Sequence, residues 1–337
     1  MAGKTKVGVV GVGHLGNHHT RILSQVREAE LVGVNDIDPE KGRRVAQAHG
    51  TKSFESLDQL LDQTDAISLV VPTTAHHALA KRVLESGNDL LIEKPITETV
   101  EQAEKLVKLA QKRKAILQVG HIERFNPALQ AIEKRKVDPR FIESHRMAQF
   151  NPRGTDVAVI LDLMIHDIDL ILSLVKSRLS SIEAVGVPVI AESQDICNAR
   201  LGFENGCVAN VTASRISAKP LRKMRLFEKD SYLSLDFLNK SAEIYRLVNA
   251  SQIPRDEDGK KTVVGTIPVE EVGKTIIYER PKTDDKDMLT SEIESFLHAV
   301  RTRSRPKVSG EDGKRALEVA LKIRDKAEEH KKRSAGY

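Results

Sequence analysis

Tryptophan is absent from this 337-residue chain, and its aromatic complement is limited to four tyrosines and eight phenylalanines. With 40% apolar and 30% charged residues, that composition excludes a disordered chain and suits a water-soluble α/β protein. Cysteine is almost missing. Cys197 and Cys207 form neither a disulfide framework nor a metal-ligand spacing, so no metal site is expected and a reduced intracellular compartment is the simpler reading. No apolar run reaches the length of about 18 residues that a membrane helix needs. No leader-like apolar segment precedes the first strand-like run, so a cytoplasmic protein without a membrane partner is expected. Charge of one sign is not in great excess: 53 basic against 48 acidic residues leave +5, which favours an anionic small molecule without marking a nucleic-acid binder. Repeats and low-complexity segments are lacking as well, and the length predicts two domains.

What is present begins with the strand-like run Val7 to Val10, which flows into Gly11-Val-Gly13-His14-Leu15-Gly16. Gly11 allows a sharp turn, Gly13 lets backbone approach a pyrophosphate, and Gly16 lets the next helix lie close on the sheet. The helix amino end receives the phosphate charge. Asp36 closes the next apolar run, at the distance where a carboxylate accepts the ribose hydroxyls of NAD and repels a 2′-phosphate. NAD is therefore the expected cofactor, and Arg43 and Arg44, inside the following helix, read as solvated.

Short β-rich runs at Val7 to Val10, Leu31 to Asn35, Ala66 to Val71, Leu90 to Ile92 and Ile116 to Val119 alternate with helical patterns at Pro39 to Ala48, Thr74 to Leu84 and Val100 to Lys112. This predicts an α/β Rossmann domain over residues 1–122, a doubly wound parallel sheet. Beyond it the pattern becomes hairpin-like. Ala199 to Phe203 and Val208 to Ala213 flank Asn205-Gly206, and further runs at Ile182 to Ile190, Arg222 to Phe227, Tyr232 to Phe237 and Ala242 to Val248 predict an α+β domain over 123–337. Its sheet is expected to be open and mostly antiparallel. Residues 255–261 read as a solvent loop, 290–300 and 313–328 as closing helices able to pack back on the first domain, and 331–337 as a frayed tail. An open sheet face would be covered by another subunit, giving a homodimer or homotetramer.

Two further motifs carry chemistry. Glu93-Lys94-Pro95 follows the run Leu90 to Ile92, where the carboxyl ends of strands line a ligand crevice, so Lys94 can reach the nicotinamide end. Pro72, Thr73 and His76 lie near another strand end and are expected to contact cofactor. Asp162 and His166 share a face if their segment is helical, as a general base and its orienting partner do.

In this order and at these distances, the glycine fingerprint, Glu93-Lys94-Pro95 and the Asp162–His166 pair resemble the Gfo/Idh/MocA family of sugar and cyclitol oxidoreductases. The resemblance spans nearly the whole chain, including Glu292 to Leu297 and Pro306 to Gly313. It implies a nicotinamide cofactor on the Rossmann domain, substrate against the open-faced sheet, and Lys94 and His166 at the reacting carbon with Asp162 beside them. Where many members carry Gly-Gly before the aspartate and a glycine within the pair, this chain has Thr155 to Ile160 and Met164. A narrower resemblance, on Gly120 to Pro127, Asn151 to Asp156 and Ala213 to Ser217, is to the branch that oxidises the 3-hydroxyl of UDP-N-acetylglucosamine for diamino-type lipid A. That implies a nucleotide-sugar substrate, with Asn126 in the pocket and Arg124, Arg153 and Arg215 as two-pronged diphosphate donors. His166 is the expected base and Lys94 the donor to the reacting oxygen, with the inverse assignment open. A different sugar or inositol-type dehydrogenase and a non-catalytic NAD-binding regulator are the competing classes.

Overall fold

Strand β1 (Thr5–Val10) and the helix it feeds, α1 (His14–Leu23), begin a series of βα units: β2 (Ala29–Asn35), α2 (Pro39–Ala48), β3 (Lys52–Ser53), α3 (Leu57–Leu61), β4 (Ala66–Leu69), α4 (Thr73–Glu85), β5 (Asp89–Glu93), α5 (Val100–Arg113) and β6 (Leu117–Gly120). The computed structural model describes residues 3–151, 157–249 and 263–334. All six strands are parallel in the order β3-β2-β1-β4-β5-β6, the doubly wound order that places a crevice between β1 and β4. Local chemistry sets the helix ends. Asp38 accepts the Glu40 and Lys41 amides with Pro39 in the first turn of α2, while α5 starts on Thr99, which caps Gln102, and stops at Lys114, whose φ is 55°.

The second series runs through α6 (Pro127–Gln130), β7 (Phe141–Met147), a π-helical turn (Ile160–Met164) leading directly into α7 (Ile165–Leu174), and then β8 (Leu179–Val187), β9 (Ile196–Phe203), β10 (Val208–Ser214), β11 (Leu221–Phe227), β12 (Ser231–Asp236), β13 (Ser241–Asn249), β14 (Val263–Val269) and β15 (Lys274–Glu279). These nine strands form one sheet, β14-β15-β13-β12-β11-β7-β10-β9-β8, antiparallel at every pairing except β7 with β10. Gly206, at φ 84°, turns the β9–β10 hairpin, and Asn205 accepts the Cys207 amide. Helix α7 packs on the buried face of β7 and β10. Cys197 and Cys207 are buried, and burial pushes their thiols up to about 12 and about 11, which suits packing rather than reactivity.

Two helices follow, α8 (Met288–Thr302) and α9 (Gly310–Ser334). By its contacts the chain divides into Met1–Phe125 with Lys286–Glu318, and Asn126–Asp285 with Val319–Tyr337. Leu289, Ile293, Phe296, Leu297 and Val300 of α8 join Val7, Val9, Ile22 and Leu23 in the core of the first unit.

Sequence patterning had no sign of β3, β7, β14 or β15. Strand β7 escapes detection because its inward positions include Ser144 and Arg146, which erase the apolar alternation. The closing helices are longer than expected, and α9 continues to Ser334 where fraying was predicted. The predicted loop at residues 255–261 lies outside the described residues.

Candidate active site

In the first unit, Gly11 has φ 84°, and a Cβ there would lie 2.3 Å from the Val70 carbonyl oxygen, so the turn out of β1 demands glycine. At Gly16 a Cβ would lie 1.9 Å from the Gly11 carbonyl oxygen, which is the close helix–strand approach expected of the third glycine. A Cβ at Gly13 would meet no protein atom within 4 Å, so that glycine serves no packing within the chain and leaves its backbone bare. Helix α1 begins on Gly13 with no side-chain cap and no acidic residue in its first turn, and α4 begins likewise on Pro72. Uncapped amides with no acidic residue in their own first turn fit an anionic pyrophosphate. His14 and Leu15 are exposed beside these amides, Pro72 is exposed, and Thr73 is half-buried. Asp36 is half-buried and accepts the Val12 amide at 2.7 Å and the Asp38 amide at 3.0 Å, which anchors the acid at the glycine loop. Arg43 and Arg44 are exposed on α2.

The carboxyl end of β5 carries Glu93-Lys94-Pro95, with the Lys94–Pro95 peptide cis. Glu93 divides its two oxygens: Oε2 accepts the Lys94 amide at 3.2 Å, and Oε1 meets His19 Nε2 of α1 at 3.2 Å. His19 Nδ1 in turn meets the Ser68 hydroxyl of β4 at 2.8 Å. Across the ladder from Glu93 stands Gly120, where a Cβ would come within 3.0 Å of the carboxylate. Burial raises the Glu93 carboxyl, but the His19 contact and the Lys94 charge outweigh it and hold the group below the usual glutamate range. Behind it Glu292 of α8 is fully buried, with neither carboxylate oxygen hydrogen-bonded among the described residues. Burial, then the charge of Glu93, push it well above the usual range, which favours its neutral form.

His76 corrects an expectation. Its ring is 1% exposed, with Nδ1 2.9 Å from the Pro95 carbonyl oxygen and Nε2 2.9 Å from that of Val71. Both nitrogens face backbone carbonyls, to one of which the neutral ring donates, and the buried ring is closed in by backbone and turned away from a cofactor. Burial lowers its pKa although these carbonyls and Glu93 work the other way.

In the second unit, Asp162 sits in the π-helical turn and His166 in the first turn of α7, both half-buried. The segment is helical through this pair, but its first part, Ile160 to Met164, is a π-turn, a geometry frequent at functional sites. Next to His166, Asp167 receives Arg146 Nε at 2.6 Å and the Ser144 hydroxyl at 3.1 Å, with both ion-pair side chains 2% exposed. A second buried pair, Arg215 Nε to Asp195 Oδ1 at 3.5 Å, holds the approach to the turn, since Arg215 also donates to the carbonyls of Val157 and Gln194. Burial raises the Asp195 carboxyl, but the amides of Ile190, Ala191 and Val189 and the Arg215 charge bring it below its ordinary value.

Two predicted substrate residues are thereby reassigned. Arg215 is buried in these bonds and not available to a diphosphate. Asn126 is 1% exposed, capping α6 through the Ala128 amide at 3.0 Å and donating to the Phe237 carbonyl at 3.1 Å, so it is a scaffold residue. Arg124 is half-buried in a 3-10 turn, near enough for its charge to act on Asp312. Arg153 lies outside the described residues. Sequence reasoning missed the roles of His19, Gly120 and Glu292. The signal for Glu292 was its place on the apolar face of α8, among Leu289, Ile293 and Phe296.

Comparison with known proteins matches residues 5–121 to the NAD-binding Rossmann domain of the Gfo/Idh/MocA oxidoreductase family and residues 135–229 to the GFO/IDH/MocA C-terminal domain. The chain belongs to this family. It is therefore an NAD-dependent oxidoreductase. The UDP-N-acetylglucosamine 3-dehydrogenase of Acidithiobacillus ferrooxidans is 38% identical over 320 residues, 95% of this chain and 96% of that protein. A solved structure of that enzyme superposes with a TM-score of 0.87 over 98% of this chain and 99% of its own, at 36% identity. The inositol 2-dehydrogenase of Rhizobium meliloti is 26% identical over 94% of each chain.

Proposed function

We propose that the protein oxidises the 3-hydroxyl of the sugar in UDP-N-acetylglucosamine to a ketone, in the lipid A precursor branch. The observation that carries this reading is the 38% identity to a UDP-N-acetylglucosamine 3-dehydrogenase over 95% of the chain, with Lys94, Asp162 and His166 all present. Gly11, Gly13, His14, Leu15, Gly16, Asp36, Pro72, Thr73, Glu93 and Lys94 are the residues assigned to NAD. When bound, NAD supplies the hydride acceptor. His166 takes the hydroxyl proton, because an imidazole with an ordinary pKa near 6.5 is an effective base at neutral pH. Asp162 orients the ring. Lys94 donates to the reacting oxygen and stabilises the negative charge that develops there. Arg124 and Arg153 are assigned to the diphosphate.

A homodimer or homotetramer is part of this proposal. Phe141, Phe227, Tyr232, Tyr245 and Tyr278 form a ladder across five strands of the second sheet, with ring centroids 4.8 to 5.6 Å apart and every ring half-exposed. Such a stripe suits burial by a second copy. No helix among the described residues is long and apolar enough to cross a membrane, and a cytoplasmic location is part of the same proposal, since the two cysteines match no disulfide framework.

The decisive experiment incubates the enzyme with NAD and UDP-N-acetylglucosamine and follows NADH absorbance, with a coupled transaminase removing the 3-ketone. NADH formation dependent on the nucleotide sugar is expected. Turnover of inositol with none of the nucleotide sugar would overturn the substrate assignment, and no turnover with any sugar or cyclitol would favour a regulator.

A further inference from the structure

Lys94 is flanked in the chain by two residues that are each held by a buried histidine from a different helix. On one side, Glu93 Oε1 lies 3.2 Å from Nε2 of His19 of α1, whose ring is 0% exposed and has Nδ1 2.8 Å from the Ser68 hydroxyl. On the other, the Pro95 carbonyl is bound by His76 of α4, whose second nitrogen reaches Val71 at the end of β4. Buried imidazoles commonly satisfy core groups wherever these occur. Here both converge on the residues either side of one lysine, and the two helices are those whose uncapped amino ends suit a pyrophosphate.

We propose that His19 and His76 are positioning residues for Lys94, a pair of side clamps that hold its backbone between α1 and α4. The clamp on Glu93 is reinforced from the chain itself, because Oε2 of that carboxylate closes back on the Lys94 amide. Gly120 leaves room for the carboxylate on the neighbouring strand, and the buried carboxyl of Glu292 and the Lys94 ammonium are the other titratable groups around it. The pair transmits the placement of the two cofactor-facing helices to the lysine, so that a ligand ordering their amino ends also orders Lys94. This inference rests on the proposed role of Lys94 and is independent of which sugar is oxidised.

The test compares the parent with His19→Leu and His76→Leu, and with the milder His19→Gln and His76→Asn. The rate at which an amine-reactive acylating reagent modifies Lys94 Nζ is read by peptide mass, without any sugar, alongside kcat and KM. In the Leu variants Lys94 modification is expected to rise about tenfold. The kcat is expected to fall about tenfold to a hundredfold, the scale at which catalytic groups lose alignment, with KM for NAD changed less than about twofold. The Gln and Asn variants, which keep a donor of different reach, should show roughly a threefold rise in modification, and they decide the matter if the Leu variants do not fold. Folded variants with lowered thermal midpoints but unchanged Lys94 modification and kcat would overturn the proposal. A parent that turns over no nucleotide sugar would refute the substrate assignment while the modification rates still decide the clamp.

Discussion

The Lys94 turn in the first unit and the His166 helix in the second are both anchored by buried polar contacts, but by opposite chemistry. Around Lys94 the anchors are imidazoles and carboxyls: His19 beside Glu93, His76 between two carbonyls, and the fully buried Glu292 behind them. Around His166 they are guanidinium–carboxylate pairs, Arg146–Asp167 and Arg215–Asp195. Guanidinium does not titrate in proteins, and the Arg215 charge helps to hold Asp195 below its ordinary value, whereas in the first set burial lowers His76 and raises Glu292. The proposed base is thus mounted beside guanidinium–carboxylate pairs, whereas the proposed ammonium donor is mounted beside His76 and Glu292, whose pKa values burial shifts in opposite directions.

The largest effects should test whether the two mounts serve equal partners. Lys94→Ala and His166→Ala are each expected to lower kcat by about 10²- to 10⁴-fold, with NADH affinity by fluorescence titration within about twofold of the parent for His166→Ala. An active His166→Ala enzyme would remove His166 as the base and favour a neutral Lys94 in that role. Next in size, Asp167→Ala leaves Arg146 buried and uncompensated and should destabilise the second unit by about 3–5 kcal/mol in urea unfolding. That loss should be nearly the same at pH 6 and pH 8; a strong dependence in this window would break the contrast.

Smaller effects should appear in the first unit, and with pH. His76 has a folded pKa below its ordinary 6.5, so its stabilisation is present above that value and is lost as pH falls toward the folded pKa. Glu292 has a folded pKa above its ordinary 4.5, so its contribution is complete below that value and is lost as pH rises toward the folded pKa. Each accounts for a slope of at most about 1.4 kcal/mol per pH unit in its window. Glu292→Gln should remove the decline on the alkaline side, and His76→Asn the decline on the acid side, in thermal unfolding scanned over pH. Unchanged slopes would mean that neither group is the one titrating. The smallest effect belongs to the exposed face of α2: Arg43→Ala should alter stability and NAD affinity by no more than about 0.5 kcal/mol.

Much of this was legible along the chain because the signals are local. Glycines that permit a turn and a close approach, an acid closing the second strand, and apolar runs alternating with helical stripes each depend on neighbours within a few residues. Strand β7 was not legible, because Arg146 sits where alternation calls for an apolar side chain, and the reason for that arginine is Asp167 on another element. The same holds for Asn126, Arg215 and His76. As residue types they suit a ligand, and their actual partners are distant in sequence: Phe237, Asp195 and Pro95.

The amino-acid sequence by itself determined the family, the doubly wound first sheet and the cofactor, and it nominated Lys94, Asp162 and His166 as the groups proposed to react. Tertiary structure alone decided which polar residues are scaffold. A buried donor or acceptor must find a partner wherever the fold brings one within hydrogen-bond reach, and sequence distance carries no record of that meeting.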